Sequence, residues 1–282
     1  MKLRIQHRTE YLYTAAVRSN CNEIRLRPPS TPWQTCSFYL LKVLPSTRLK
    51  QYHDFYRNGV QHFEIEEPHQ RLVIEAQATV TTAARGEGLA AAAPGSFLEL
   101  AQCRESEEVG LYVGHSRYVR FNPQLWKAAL DLRDDSDDIL RTAEVLNSHV
   151  YDSCRYQAGV TTVDTTSEDF FVSRVGVCQD FAHLLLALCR SLGIPARYVS
   201  GYLYDAQRGG LRGAHESHAW VEVYLPGRGW IGFDPTNRQG VDERYITLAV
   251  GRDYEDVAPV KGSYVGAGTR TMKVAVSVER LD

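Results

Sequence analysis

The sequence predicts an α+β protein, with an antiparallel β domain over residues 1–90 and a mixed domain over residues 91–282. Three observations carry this reading. Leu72, Ile74, Ala76, Ala78 and Val80 recur at every second position, the period of a strand with one buried face. Phe181, Leu184, Leu185 and Leu188 fall at i, i+3, i+4 and i+7, which makes one helix face apolar. Two strand-like runs, Ala219 to Tyr224 and Trp230 to Phe233, flank the turn-forming string Leu225-Pro226-Gly227-Arg228-Gly229, the pattern of a hairpin.

The first domain opens with strand-like runs at Leu3 to Tyr13 and Phe38 to Leu44. Asn58-Gly59 predicts a type I′ hairpin turn, because that turn needs positive φ at both central residues. Val60, Phe63 and Ile65 follow it, then the alternating set from Leu72. From Ala83 to about Pro94 the chain becomes small and glycine-dotted, with alanine unbroken from Ala90 to Ala93. That stretch is read as the domain boundary.

Beyond it, Ile139, Ala143, Leu146 and Val150 predict a helix over Asp137 to Tyr151, with Ser136 and Asp137 placed to cap it. A polar segment rich in Thr and Asp runs from Ala158 to Asp169. The next helix starts near Gly176 and Cys178. Gly193 stands where a C′ glycine ends a helix, and Pro195 follows. Strands are predicted at Tyr198 to Tyr204 and at both arms of the hairpin. A last strand carries Met272, Val274, Val276 and Val278.

Composition narrows the function. Of 282 residues, 44% are hydrophobic and 23% charged, and the net charge is -2. These values describe a globular chain without the positive field that draws nucleic acid or an anionic membrane. Met1 to His7 holds no apolar run of signal-peptide length, and no stretch has the length of a spanning helix. The expectation is a cytoplasmic protein that binds neither nucleic acid nor membrane. The six cysteines, Cys21, Cys36, Cys103, Cys154, Cys178 and Cys189, form no CxxC pair and read as free thiols. His215 and His218 are three apart but lack matching thiols, so no zinc site is expected. The acidic residues near Asp131 to Asp138 form no calcium loop and read as helix-capping residues.

The chemistry concentrates in the second domain. A thiol acts as a strong nucleophile as thiolate, and the first turn of a helix favours negative charge. Cys178 occupies such a turn. A thiol catalyst also needs an imidazole within reach and a third group to orient it. If the hairpin centres near Pro226, His218 lies opposite Asp234. Their numbers share parity, so a two-residue slip keeps both on one face.

The string Arg174-Val175-Gly176-Val177-Cys178-Gln179-Asp180-Phe181-Ala182-His183 resembles the nucleophile motif of the bacterial transglutaminase-like superfamily. Gly193 to Tyr202, Ser217 to Glu222 and Gly232-Phe233-Asp234-Pro235-Thr236-Asn237 resemble its following blocks, in the same order. The likeness is close from about residue 130 to 262, and residues 1–90 resemble the β domain that precedes the core in bacterial members. The resemblance implies a papain-like transglutaminase core, with Cys178 as nucleophile, His218 as general base and then acid, and Asp234 as orienting carboxylate. It implies a thioester acyl-enzyme, a peptide or protein substrate, and no cofactor or metal. Gln179 is a candidate second oxyanion donor beside the Cys178 backbone N–H, and Trp220 a candidate wall of the site. Asp180 is expected to support the helix N-terminus, His183 to pack or bond a neighbouring strand, and Cys154 and Cys189 to be structural. Water as acceptor makes the protein a peptidase or amidase, the preferred expectation. An amine makes it a transglutaminase, and a non-catalytic binding module is the third reading.

Overall fold

The computed structural model describes residues 1–84, 95–103, 105–133, 136–206, 210–213 and 217–282. The expected boundary at residue 90, and His215 in the histidine pair, lie outside these residues.

The first sheet is organised by one long strand. β1 (Lys2–Ile24) is followed by β2 (Gln34–Leu44), β3 (Lys50–His53), β4 (Gly59–Ile65) and β5 (His69–Thr82). The N-terminal half of β1 pairs antiparallel with β5, which in turn pairs with β2, and the C-terminal half pairs with β4. Period-two burial holds as predicted: Leu72, Ile74, Ala76, Ala78 and Val80 all face the core with Leu3 and Ile5.

The Asn58-Gly59 turn is corrected. β3 and β4 are joined by the five residues Asp54 to Asn58, closed by Asp54 N–H on Asn58 O at 3.1 Å, and the positive φ falls at Arg57, at 63°. The Asn58 side chain is buried and used elsewhere. Its amide donates to Val250 O and accepts from Val250 N–H, both at 2.8 Å. Gln34 makes the same two-way bond to Thr247, at 2.9 Å each way. A tertiary pairing of side chain with backbone has overridden the local turn preference.

The second unit begins with helices α1 (Phe97–Cys103), α2 (Glu107–Gly110), α3 (Pro123–Leu132) and α4 (Ile139–Ser153). The N-cap of α4 is Asp138, which accepts from Arg141 N–H at 3.0 Å. This corrects the expected cap, since Asp137 instead accepts from Phe97 N–H and ties α4 to α1. A two-residue β6 (Arg155–Tyr156) precedes α5 (Ser167–Ser173), which begins where the polar stretch was expected to continue and carries a Thr166/Asp169 capping box. β7 (Val175–Gly176) leads into α6 (Cys178–Ser191), the central helix. It ends as predicted, with Gly193 at φ 74°.

A five-stranded antiparallel sheet then forms from β8 (Ala196–Leu203), β9 (His218–Leu225), β10 (Gly229–Asp234), β11 (Gln239–Gly240) and β12 (Tyr245–Gly251), in the order β11-β10-β9-β8-β12. Leu184, Leu185 and Leu188 of α6 pack with Val221 and Val223 of β9 in one core. Tyr202, Ile246 and Leu248 instead join the core of the first sheet, so the two units share buried apolar surface, the main driving force for keeping them together.

After the short α7 (Tyr254–Val257), β13 (Val260–Val265) and β14 (Arg270–Arg280) return to pair with β1. The predicted last strand therefore exists, but it completes the first sheet rather than the second. Among the described residues no helix is long and apolar enough to cross a membrane.

Candidate active site

Cys178 opens α6, and its surroundings hold that helix start in place. Gly176 lies so close to the first turn that a Cβ there would collide with Asp180 Oδ2 and the Phe170 ring. Asp180 reaches back, Oδ2 accepting from Val177 N–H at 2.8 Å and from Thr161 Oγ1 at 2.7 Å. This is the return half of a capping box, and Val177 has no polar side chain to supply the other half. Burial pushes the Asp180 carboxyl up, and these hydrogen bonds oppose the rise. The first helical bonds run from Asp180 and Phe181 N–H to Val177 O. The Cys178 N–H lies ahead of them, among the unpaired donors of a helix start. The thiol is half-buried, with Sγ 4.0 Å from Ser217 O.

His218 opens β9, and Asp234 closes β10. The hairpin between them is displaced from the expected register. Gly229 faces Leu225 and Phe233 faces Val221, so the turn centres on Gly227 and Asp234 lies diagonal to His218. Equal parity keeps the two on one face, and His218 Nε2 meets Asp234 Oδ2 at 2.8 Å with both side chains fully buried.

Asp234 is held from all sides. Oδ2 also accepts from Asn237 Nδ2 at 2.8 Å and Tyr245 OH at 2.7 Å, while Oδ1 accepts from Thr236 N–H at 2.8 Å and Asn237 N–H at 3.2 Å. Burial opposes the charge of Asp234, yet His218, Asn237 and Tyr245 hold the carboxyl below its ordinary value. Burial likewise opposes a charged His218. The carboxylate, through charge and hydrogen bonding, and the nearby Cys178 outweigh it and push the imidazole up to about 10. Nε2 is taken by Asp234, and Nδ1 has no hydrogen-bond partner among the described residues.

Glycine is required beside that nitrogen. Gly213 has φ +77°, and a Cβ there would stand 2.7 Å from His218 Nδ1. Asn237 fixes this segment, accepting from Arg212 N–H at 2.9 Å and donating to Arg212 O at 3.2 Å.

The remaining candidates separate cleanly. Trp220 is fully buried, packs edge-on against Tyr245 at 5.3 Å, and has its ring centroid 6.3 Å from that of His218. It fills the core behind the imidazole rather than walling an open cleft. Gln179 donates through Nε2 to Val163 O at 3.2 Å, so its amide is engaged with the neighbouring loop. His183 is buried, accepts from Tyr254 N–H at 3.2 Å and stacks on Tyr118. Burial, with Arg190 nearby, pushes it down to about 3. Cys154 and Cys189 are buried, and all six cysteines are free thiols. Among the described residues no group of three or more His, Cys, Asp or Glu is placed to hold a metal ion.

Sequence reasoning missed Tyr245, Asn237 and Gln239. Asn237 stood in the quoted motif, three residues after Asp234. Tyr245 arrives from another strand with no local signal, and Gln239 Nε2 donates to its hydroxyl at 2.5 Å.

Residues 127–235 match the family model described as the transglutaminase-like superfamily, and residues 3–81 match the bacterial transglutaminase-like N-terminal region. The chain belongs to the transglutaminase-like superfamily. It is 34% identical to an uncharacterised protein of Mycobacterium leprae over 99% of both chains. A stretch covering 35% of this chain is 37% identical to a protein-glutamine gamma-glutamyltransferase of Pseudomonas aeruginosa, of which it spans 16%. In fold it is similar to a proposed cysteine protease from Cytophaga hutchinsonii, with a TM-score of 0.79 and 24% identity over 100% of this chain and 92% of that one. This superfamily core with its β half-barrel partner is the papain-like α+β architecture expected from the sequence.

Proposed function

We propose that the protein is a cysteine-nucleophile enzyme that hydrolyses amide bonds of peptides or proteins through a thioester. The observation that carries this reading is the buried His218–Asp234 pair, which leaves Nδ1 unpartnered among the described residues while the nearby Cys178 thiol stands at a helix N-terminus. Proton transfer from Cys178 to His218 gives a thiolate beside an imidazolium, which Asp234 stabilises. The thiolate adds to the amide carbonyl, and the helix-start N–H of Cys178 faces the developing oxyanion. His218 then gives its proton to the leaving amine as the carbon–nitrogen bond breaks. Water, deprotonated by His218, cleaves the thioester and regenerates the thiol.

Water is the proposed acceptor because Cys178 is only half-buried, and an acyl-enzyme open to solvent hydrolyses. A second reading, transfer of a glutamine acyl group to an amine, is favoured by the local likeness to the Pseudomonas gamma-glutamyltransferase. The test is incubation with a glutamine-containing protein and a labelled primary amine, followed by intact mass, with Cys178→Ala as control. Fragments or a deamidation shift, absent in the control, support hydrolysis. Amine addition with loss of ammonia replaces it with transfer, and activity retained in Cys178→Ala sinks both.

A further inference from the structure

The edges of the first sheet are not equally protected. Free strand edges present unpaired N–H and C=O groups, and proteins blunt them with bulges, short strands, proline or charge. The β2 edge carries a register break between Cys36 and Phe38, and β3 is only four residues long. β14 differs. It is eleven residues long, contains no proline, and pairs with β1 without a break from Leu3↔Arg280 to Tyr13↔Arg270. Its other edge pairs with no strand among the described residues. On its inward face Val276 and Val278 pack against the core, yet Met272 and Val274 remain 56% and 38% exposed. On the outward face Lys273 and Glu279 are exposed, with Ala275 and Ser277 between them.

We propose that β14 pairs antiparallel with the β14 strand of a second copy of this chain, about a twofold axis at Val276. In that register Lys273 faces the partner's Glu279, Val274 faces the partner's Val278, and Val276 faces its own counterpart. Both charge pairs are made at once, and the exposed apolar row becomes continuous across the join. Neighbouring registers lose this. Centring on Ala275 sets Arg270 against the partner's Arg280, and centring on Ser277 leaves Glu279 opposite the partner's Ala275. A twofold contact uses the same edge on both copies and closes at two. Strand addition alone covers less than the roughly 1,600 Å² of a standard interface, so the equilibrium depends on concentration.

Sedimentation equilibrium of the full chain over a concentration series tests this. The wild type is expected to shift from monomer to dimer. Lys273→Glu and Glu279→Lys each set like charges face to face and weaken the dimer roughly tenfold. The double reversal restores opposite pairs and returns the dimer constant to near wild type. Both residues are exposed, and unchanged melting by circular dichroism establishes that the variants fold. A wild type that stays monomeric, as it would if this edge serves another partner, overturns the proposal. So does a dimer indifferent to the single reversals.

Discussion

Two buried histidines in this protein have opposite protonation preferences, and burial is not what separates them. His7 joins the first sheet to the second. Its Nδ1 meets Tyr202 OH at 2.9 Å and its Nε2 meets Thr9 Oγ1 at 2.9 Å, and burial pushes it down to about 4. His218 is equally enclosed, but one of its partners is a carboxylate, and it is pushed up to about 10. Neutral hydroxyls satisfy hydrogen bonds without offsetting the cost of a buried charge, whereas an anion stabilises the imidazolium directly. The joint therefore holds a neutral ring, and the proposed active site holds one ready to keep a proton.

The strongest way to break this contrast is to remove the anion. Asp234→Asn keeps the side-chain shape but leaves His218 with a neutral partner, as His7 has. Amide turnover is expected to fall by about 10³- to 10⁴-fold, read as kcat/KM on a substrate found in the mass assay. Alkylation of Cys178 near neutral pH should slow toward that of the other half-buried thiols, Cys21, Cys36 and Cys103. An unaltered rate would remove Asp234 from the reaction.

The next effect is on stability. His7 and His183 are depressed below the ordinary 6.5 in the folded state, to about 4 and about 3. The unfolded chain binds more protons between those values and 6.5, so their contribution is lost as pH falls below 6.5. His218 is raised, so its contribution is full below 6.5 and lost as pH rises from there through about 10. Urea unfolding is expected to show about 2 kcal/mol lower stability per depressed histidine at pH 5 than at pH 7. His7→Gln should flatten the acid side and leave the alkaline loss intact. An equal change on both sides would mean the two histidines are not independent.

The smallest change sharpens the comparison. Tyr245→Phe removes one of the five hydrogen bonds that Asp234 accepts. A hydrogen bond to a charged group contributes roughly 1.5–3 kcal/mol, so turnover is expected to fall on the order of tenfold. More of the Asp234 charge is then left for His218, so the alkaline limb of the pH–rate profile should move upward. A lower melting temperature with an unmoved profile would make Tyr245 a packing residue only.

How much of this was legible beforehand differs by residue. Alternation along β5 and helical spacing along α6 are local, repeated signals, and both were read correctly. Cys178 at a helix start and the contact of His218 with Asp234 were legible because their motifs are contiguous in sequence. The Asn58-Gly59 turn, the α4 cap and the hairpin register were misread. In each case a partner distant in sequence, or a shift of one or two residues, decided the outcome. Tyr245 was invisible because a tyrosine in a strand carries no mark of the carboxylate it will meet.

The sequence by itself determined the alternation of β5, the apolar face of α6, the two arms of the hairpin and the cysteine at the helix start, with His218 and Asp234 on one face of the ribbon. Tertiary structure alone decided that β13 and β14 return to the first sheet and that Asn58 and Gln34 grip β12. It also decided that five donors converge on Asp234. Period and motif follow from neighbours along the chain. The field at a buried group is the sum over whatever folding brings near it, and that sum exists only once the chain has closed around it.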